Sequence, residues 1–206
     1  MEYIMTQYNG QLKIFKTHSG IVLPKFGTEQ AACFDLAYQP HGKHEYVGYN
    51  VYNKTFSRPI KSDGLLTIMP GDRIMVPTGL IFDIPEGHSL RIHPRSGLSY
   101  KQGLVLANLE AVIDSDYVYE TFVLLTNLSE NPQTISVGDR IAQAELIEQL
   151  RYDIVETTEK PEQKTDRVGG LGSTGVATID TSKMNIVAHS KQQPVKRGRG
   201  RPKSVA

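Results

Sequence analysis

The chain has 206 residues, 39% of them hydrophobic, enough for one globular domain with extensions or for two small ones. The net charge of +1 hides an asymmetry, because Lys196 to Lys203 contains only basic residues, Gly and Pro and leaves the body slightly acidic. A single cysteine, Cys33, excludes an internal disulfide framework. Neither a charged-then-apolar leader nor a run of the roughly 20 apolar residues that span a membrane is present, so a cytoplasmic protein with no membrane partner is expected.

Gln11 to Lys16 alternates polar and apolar residues and predicts a first strand ahead of Pro24. Ala31 to Tyr38 is a second apolar run with Asp35 in its middle. From Gln39 to Gly64 the composition turns to His, Lys, Asn, Gly and Tyr, and a structureless loop of that length is rare inside a compact domain, so a hairpin-like insertion is expected over 39–64. Beyond it the punctuation is regular: Pro70-Gly71, Pro77-Thr78-Gly79, Pro85-Glu86-Gly87, Asn131-Pro132 and Gly138-Asp139 separate short runs of Ile, Val, Leu and Phe. Such spacing predicts an all-β sandwich or barrel, and no helical period stands out. Apolar density falls from Arg151, so residues 1–150 are expected to form the β domain and 151–175 an exposed arm ending in the glycine-rich run Gly169 to Gly175. Residues 176–195 read as a linker and 196–206 as a basic tail.

Two stretches carry chemistry. Arg95, Ser96 and Gly97 place a guanidinium, a hydroxyl and a permissive glycine in one turn after Pro94, a combination suited to a phosphate. Val112-Ile113-Asp114-Ser115-Asp116-Tyr117 is an apolar strand that delivers a carboxylate into a polar turn, followed by an aromatic ring. Asp114 there can take a proton from water as a general base; on its own the same string reads more often as an Asx turn between strands. Gly169 to Gly175, with Ser173 and Thr174 between glycines, reads either as a flexible linker or as a cradle of backbone N–H groups for an anion, and it is not a Walker A loop. His41 and His44 lack the companion ligands of a zinc site, and Cys33 in its apolar run reads as packing.

Taken in order, these strings resemble the five motifs of the trimeric dUTPases. Ala32-Cys33-Phe34-Asp35-Leu36 is similar to the first, the Pro94 to Gly97 and Asn108 to Tyr117 stretches to the second and third, Arg140-Ile141-Ala142-Gln143 to the fourth and Gly169 to Gly175 to the fifth. The resemblance implies a jelly-roll-like homotrimer that hydrolyses dUTP to dUMP and pyrophosphate with Mg²⁺, lowering dUTP and supplying dUMP for dTTP synthesis. It implies Asp114 as the base that activates water, and Arg95, Ser96, Gly97 and Gln143 as phosphate ligands. Asn108, with the hairpin backbone through Val112 and Ile113, would read uracil, and Tyr117 would lie where a ribose 2′-hydroxyl must be refused. Arg167 would reach the γ-phosphate, Leu171 would cover the base, and Gly172 and Ser173 would bind phosphate. Asp35 would sit near the cation and act through water, since Mg²⁺ keeps several waters and binds through substrate phosphates.

The chain departs from the family pattern in three places: Ala111 stands where Gly is common, Leu171 replaces an aromatic, and Arg167-Val168-Gly169 is one residue short. The superfamily's dCTP deaminases use a glutamate base, for which Glu110 is the counterpart, and a non-enzymatic DNA-associated regulator on the same scaffold is a further reading. The tail's Arg199-Gly200-Arg201-Pro202 resembles the core of an AT-hook, which implies contact with the narrow minor groove of A·T-rich DNA.

Overall fold

The computed structural model describes residues 10–166 and Gly169. The chain divides into two units, Met1–Asp153 and Ile154–Ala206. The described part of the second unit is exposed and has no helix or strand.

The first unit is built from thirteen strands and one short helix among the described residues. In chain order these are β1 (Lys13–Lys16), β2 (Phe34–Ala37), β3 (Glu45–Tyr49), β4 (Thr55–Pro59), β5 (Leu66–Ile68), β6 (Arg73–Pro77), β7 (Leu80–Asp83), β8 (His88–His93), α1 (Ser96–Gln102), β9 (Leu104–Leu106), β10 (Ala111–Asp114), β11 (Phe122–Asn127), β12 (Gln133–Ile135) and β13 (Arg140–Glu148). They form a four-stranded sheet in the order β10-β8-β13-β2, a five-stranded sheet in the order β4-β3-β6-β11-β9, and two small ribbons, β1-β7 and β12-β5. Every strand pair is antiparallel. The architecture is the all-β, jelly-roll-like one expected, and no helix among the described residues is long and apolar enough to cross a membrane.

Alternation explains the layering. In β6, Ile74 and Val76 point inward while Arg73 and Met75 point out, and in β11 Val123 and Leu125 do the same against Leu124. Side chains of period two give each sheet one apolar face, and Leu36, Leu90 and Ile92 from the four-stranded sheet join that core. The 39–64 segment forms the β3-β4 hairpin, which extends the five-stranded sheet beside β6 through Gly48 opposite Ile74. Glycine is required there, because a Cβ at Gly48 would meet the Arg73 carbonyl oxygen at 2.3 Å.

One sequence expectation fails. Arg95 to Gly97 are not in a free turn: Arg95 is the N-cap of α1, and Ser96 and Gly97 open it. Seven residues are too few for a 3.6-residue period to register in the sequence, and the helix buries no residue fully. It is ended by Gly103 in the left-handed conformation (φ 67°), whose N–H donates back to the carbonyls of Leu98 and Ser99.

Candidate active site

The four-stranded sheet presents one apolar and one polar face. Pairing sets Gln143 of β13 opposite Asp35 of β2 on one side and His93 of β8 on the other, so the three lie in a row across neighbouring strands. The register of β13 shifts between Arg140 and Ala142, a bulge that turns Ile141 into the core beside Ala142 and Ala144 and leaves Arg140 on the same side as Gln143. Arg140 thereby reaches Asp35. Without the bulge, strict alternation would place its guanidinium on the opposite face.

Asp35 is held by both arginines. Its Oδ1 lies 2.8 Å from Arg95 Nε and its Oδ2 3.0 Å from Arg140 Nη1, while Arg95 Nη1 donates to the Arg140 carbonyl at 2.9 Å. Gln143 Nε2 donates to the Pro94 carbonyl at 3.1 Å, which ties β13 to the start of α1. Asp35, Arg95, Ser96, Gly97, Gln143 and Cys33 line one cavity of about 230 Å³. An adjoining hollow is bordered by Arg95, Arg140 and Lys101. Three cations against two carboxylates, Asp35 and Asp139, leave this region net positive and attractive to an anion, and the N–H groups of Ser96 and Gly97, in the first turn of α1, have no intrahelical acceptor.

Asp114 is elsewhere. It ends β10 opposite Ser89, near the start of β8, whereas Arg95 lies two residues beyond the far end of that strand at His93. The Asp114 side chain is exposed, and its carbonyl accepts the Tyr117 N–H at 3.2 Å, closing the turn. Tyr117 hydroxyl donates to the Glu120 carbonyl at 3.0 Å, and its ring meets Tyr119 edge-on with centroids 5.7 Å apart. Asn108 is exposed in the turn between β9 and β10. The next residue, Leu109, takes φ 64°, and Glu110 N–H reaches back to the Asn108 carbonyl at 2.7 Å. Val112 is 47% exposed, but Ile113 packs on the core, so only its backbone can meet a ligand. Glu110 lies near Arg91 (3.6 Å) and His93 (3.5 Å), so its carboxylate is turned onto the sheet face.

One chain thus gathers Asp35, Arg95, Ser96, Gly97 and Gln143, and holds Asn108, Asp114 and Tyr117 apart from them. Arg140 and Lys101 are site residues that motif reading passed over; Arg140 was open to it, since it heads the Arg-Ile-Ala-Gln string. Arg167, Leu171, Gly172 and Ser173, and the tail residues Arg199, Gly200, Arg201 and Pro202, lie outside the described residues. A larger cavity, about 890 Å³, lies elsewhere, between the β3-β4 hairpin and the outward side of β6 and β11, with Asn108 on its border. Its lining is mainly apolar, whereas phosphate chemistry needs the smaller polar one.

Comparison with known proteins identifies a family. The dUTPase family model matches residues 59–175. The deoxyuridine 5'-triphosphate nucleotidohydrolase of Rhizobium johnstonii is 47% identical over 111 residues, covering 54% of this chain and 70% of that one. The enzyme of the same name from Rhizobium rhizogenes is 38% identical over 158 residues, covering 76% and 87%. A mutant dUTPase of Staphylococcus bacteriophage 80alpha, solved with dUpNHpp, shares the fold at a TM-score of 0.62 and 18% identity, over 81% of this chain and 99% of that one. With over half its length on the family model and a relative matched across most of that relative's length, this chain belongs to the dUTPase family.

Proposed function

We propose that the chain hydrolyses dUTP to dUMP and pyrophosphate in a site shared between subunits of a homotrimer. The observation that carries this reading is the split arrangement: an anion pocket around Asp35, Arg95, Ser96, Gly97 and Gln143, beyond one end of β8, and the exposed Asp114 opposite Ser89 near its other end. In this reading adjacent copies bring the two together at one triphosphate. The arm supports the same arrangement, since Leu150, Tyr152, Ile154 and Val155 are each at least 79% exposed, an apolar stripe that suits another chain's surface.

In this reading Arg95, Ser96, Gly97 and Gln143 bind the phosphates, and Asn108 with the β9-β10 turn of a second subunit binds uracil. Asp114 accepts a proton from water, whose oxygen attacks the α-phosphorus as the bond to the β-phosphate bridging oxygen breaks. Pyrophosphate leaves. Tyr117 stands against the sugar and rejects a 2′-hydroxyl, while Arg167, Leu171, Gly172 and Ser173 of the arm close over base and phosphates.

Both oxygens of Asp35 are already engaged by guanidinium groups, so the donor set suits a Mg²⁺ held through water and substrate oxygens and not by direct ligation. When bound, the ion supplies charge neutralisation and orientation of the triphosphate. Glu110, turned toward Arg91 and His93, is poorly placed to serve as a deaminase base.

The test is to incubate the chain with dUTP, dCTP, dTTP or UTP and Mg²⁺ and to identify the products. Pyrophosphate from dUTP alone is expected. Release of dUTP or dUMP from dCTP, or no turnover of any nucleotide, would overturn the assignment.

A further inference from the structure

The polar face of the β10-β8-β13-β2 sheet carries a second cluster that the nucleotide chemistry does not use. Phe34 pairs with Ala144, and continuing that register by one residue sets Cys33 opposite Glu145. On the other side of β13, Gln143 pairs with His93 and Glu145 with Arg91. A thiol, an imidazole and a carboxylate from three adjacent positions therefore converge: the ligating atoms of Cys33, His93 and Glu145 all lie within 4.8 Å of one another, and all three residues are half-buried. His93 Nε2 is 3.0 Å from Glu145 Oε1, and on the far side of the ring Nδ1 is 3.5 Å from Glu110 Oε1.

We propose that Cys33, His93 and Glu145 hold a borderline-soft divalent cation of the zinc class, one per chain, with a fourth position left to water. Bonds of roughly 2.0 to 2.3 Å set the ligand atoms of a tetrahedral zinc ion about 3.3 to 3.7 Å apart, a spacing this cluster reaches by small side-chain rotations. Sulfur and imidazole nitrogen together select against Mg²⁺, which takes oxygen ligands, so this site is distinct from any cation carried in on a triphosphate. Glu110 supplies the outer partner. A carboxylate accepting Nδ1–H fixes the tautomer that offers Nε2 to a metal, and Arg91, 3.6 Å from the same Glu110 side chain, steadies it.

The thiol is in its neutral form before the cation arrives: burial pushes its pKa up, and the charges of Glu145 and Asp35 push it further. Coordination therefore replaces the S–H bond with a sulfur–metal bond and passes one proton to solvent for each cation bound. The cation would tie β2, β8 and β13 together beside the anion pocket, since Cys33 also lines that pocket and His93 lies two residues before Arg95.

The full chain, stripped with chelator, is titrated with Co²⁺. Expected are one equivalent bound, visible bands of tetrahedral intensity, a near-ultraviolet thiolate-to-cobalt charge-transfer band, displacement by Zn²⁺, and a melting temperature raised by Zn²⁺. Cys33 is the only cysteine in the chain, so binding at other histidines gives no charge-transfer band. Cys33→Ser should abolish that band. Glu110→Gln should keep it while weakening affinity by about tenfold, as loss of an outer-shell partner does. Circular dichroism of each metal-free variant checks folding, and Cys33→Ala serves if Cys33→Ser is unfolded. Absence of the band in the unmodified chain, or its persistence without Cys33, overturns the proposal.

Discussion

Asp114 and Arg95 occupy opposite kinds of surroundings, and the proposed function gives the first a part in chemistry and the second a part in binding. Asp114 is exposed at a strand end, so Asp114→Asn keeps the shape and removes the proton acceptor. Turnover should fall by about 100-fold or more while affinity for a non-hydrolysable dUTP analogue, measured by calorimetry, stays within a few-fold. Arg95 is ion-paired to Asp35 inside the anion pocket, and Arg95→Ala should chiefly weaken that binding, by a charge-assisted hydrogen bond's roughly 1.5 to 3 kcal/mol. Leu109 poses a different problem. It is a non-glycine residue at φ 64° and is 80% exposed, so it bears the cost of a left-handed backbone with little burial in return. Leu109→Asn, which tolerates that conformation, should raise stability by about 0.5 to 1 kcal/mol in urea unfolding; a loss would mean that the leucine side chain has a partner outside its own subunit.

The β3-β4 hairpin is docked by two features. Gly48 permits close approach to β6, and Arg58 of β4 reaches Asp72, whose carboxylate is buried to 2% exposure and accepts from Arg58 Nη1 at 2.7 Å. The guanidinium also lies 3.8 Å from the Phe56 ring centroid. Removing the cation strands a buried carboxylate, so Arg58→Met should cost about 2 kcal/mol, below the figure for a fully buried pair because Arg58 is one-third exposed. Gly48→Ala should cost a similar amount, about 2 kcal/mol, by a different route, forcing a methyl group against the Arg73 carbonyl. Denaturant unfolding measures both. Hydrogen exchange at the Gly48 and Tyr49 amides would separate local undocking of the hairpin from global loss of stability.

At the scale of the whole molecule, the proposed function makes assembly part of the site, because it needs Asp114 of one chain beside the anion pocket of another. At substrate concentrations well below the Kd of the Arg95→Ala chain, Arg95→Ala and Asp114→Asn chains should each be strongly impaired alone. Co-refolded as mixed trimers, they should recover part of the wild-type rate, because some sites then combine an intact Arg95 from one chain with an intact Asp114 from another. If mixing restores nothing while sedimentation shows mixed trimers, each subunit holds a complete site of its own. Truncation before Arg167 should leave the melting temperature nearly unchanged, since the described arm has no helix or strand, and should strongly reduce turnover.

The all-β class is legible in the sequence because local rules decide it: alternation in runs such as Arg73–Pro77 and Gly or Pro punctuation between runs are properties of adjacent residues. The motif strings point to Asp35, Arg95 and Gln143 through resemblance alone, as nothing in their local spacing says that they meet. Tertiary structure decides that. A bulge in β13 swings Arg140 onto Asp35, pairing of β2 and β8 with β13 lines up Asp35, Gln143 and His93, and the same pairing brings Cys33 to Glu145. Helix α1 is invisible to periodicity because two turns with no fully buried residue leave no stripe. Register and bulges depend on which strands pair, a long-range choice made by burying apolar faces together, so residues more than a hundred positions apart, such as Asp35 and Arg140, become partners only once the sheet has formed.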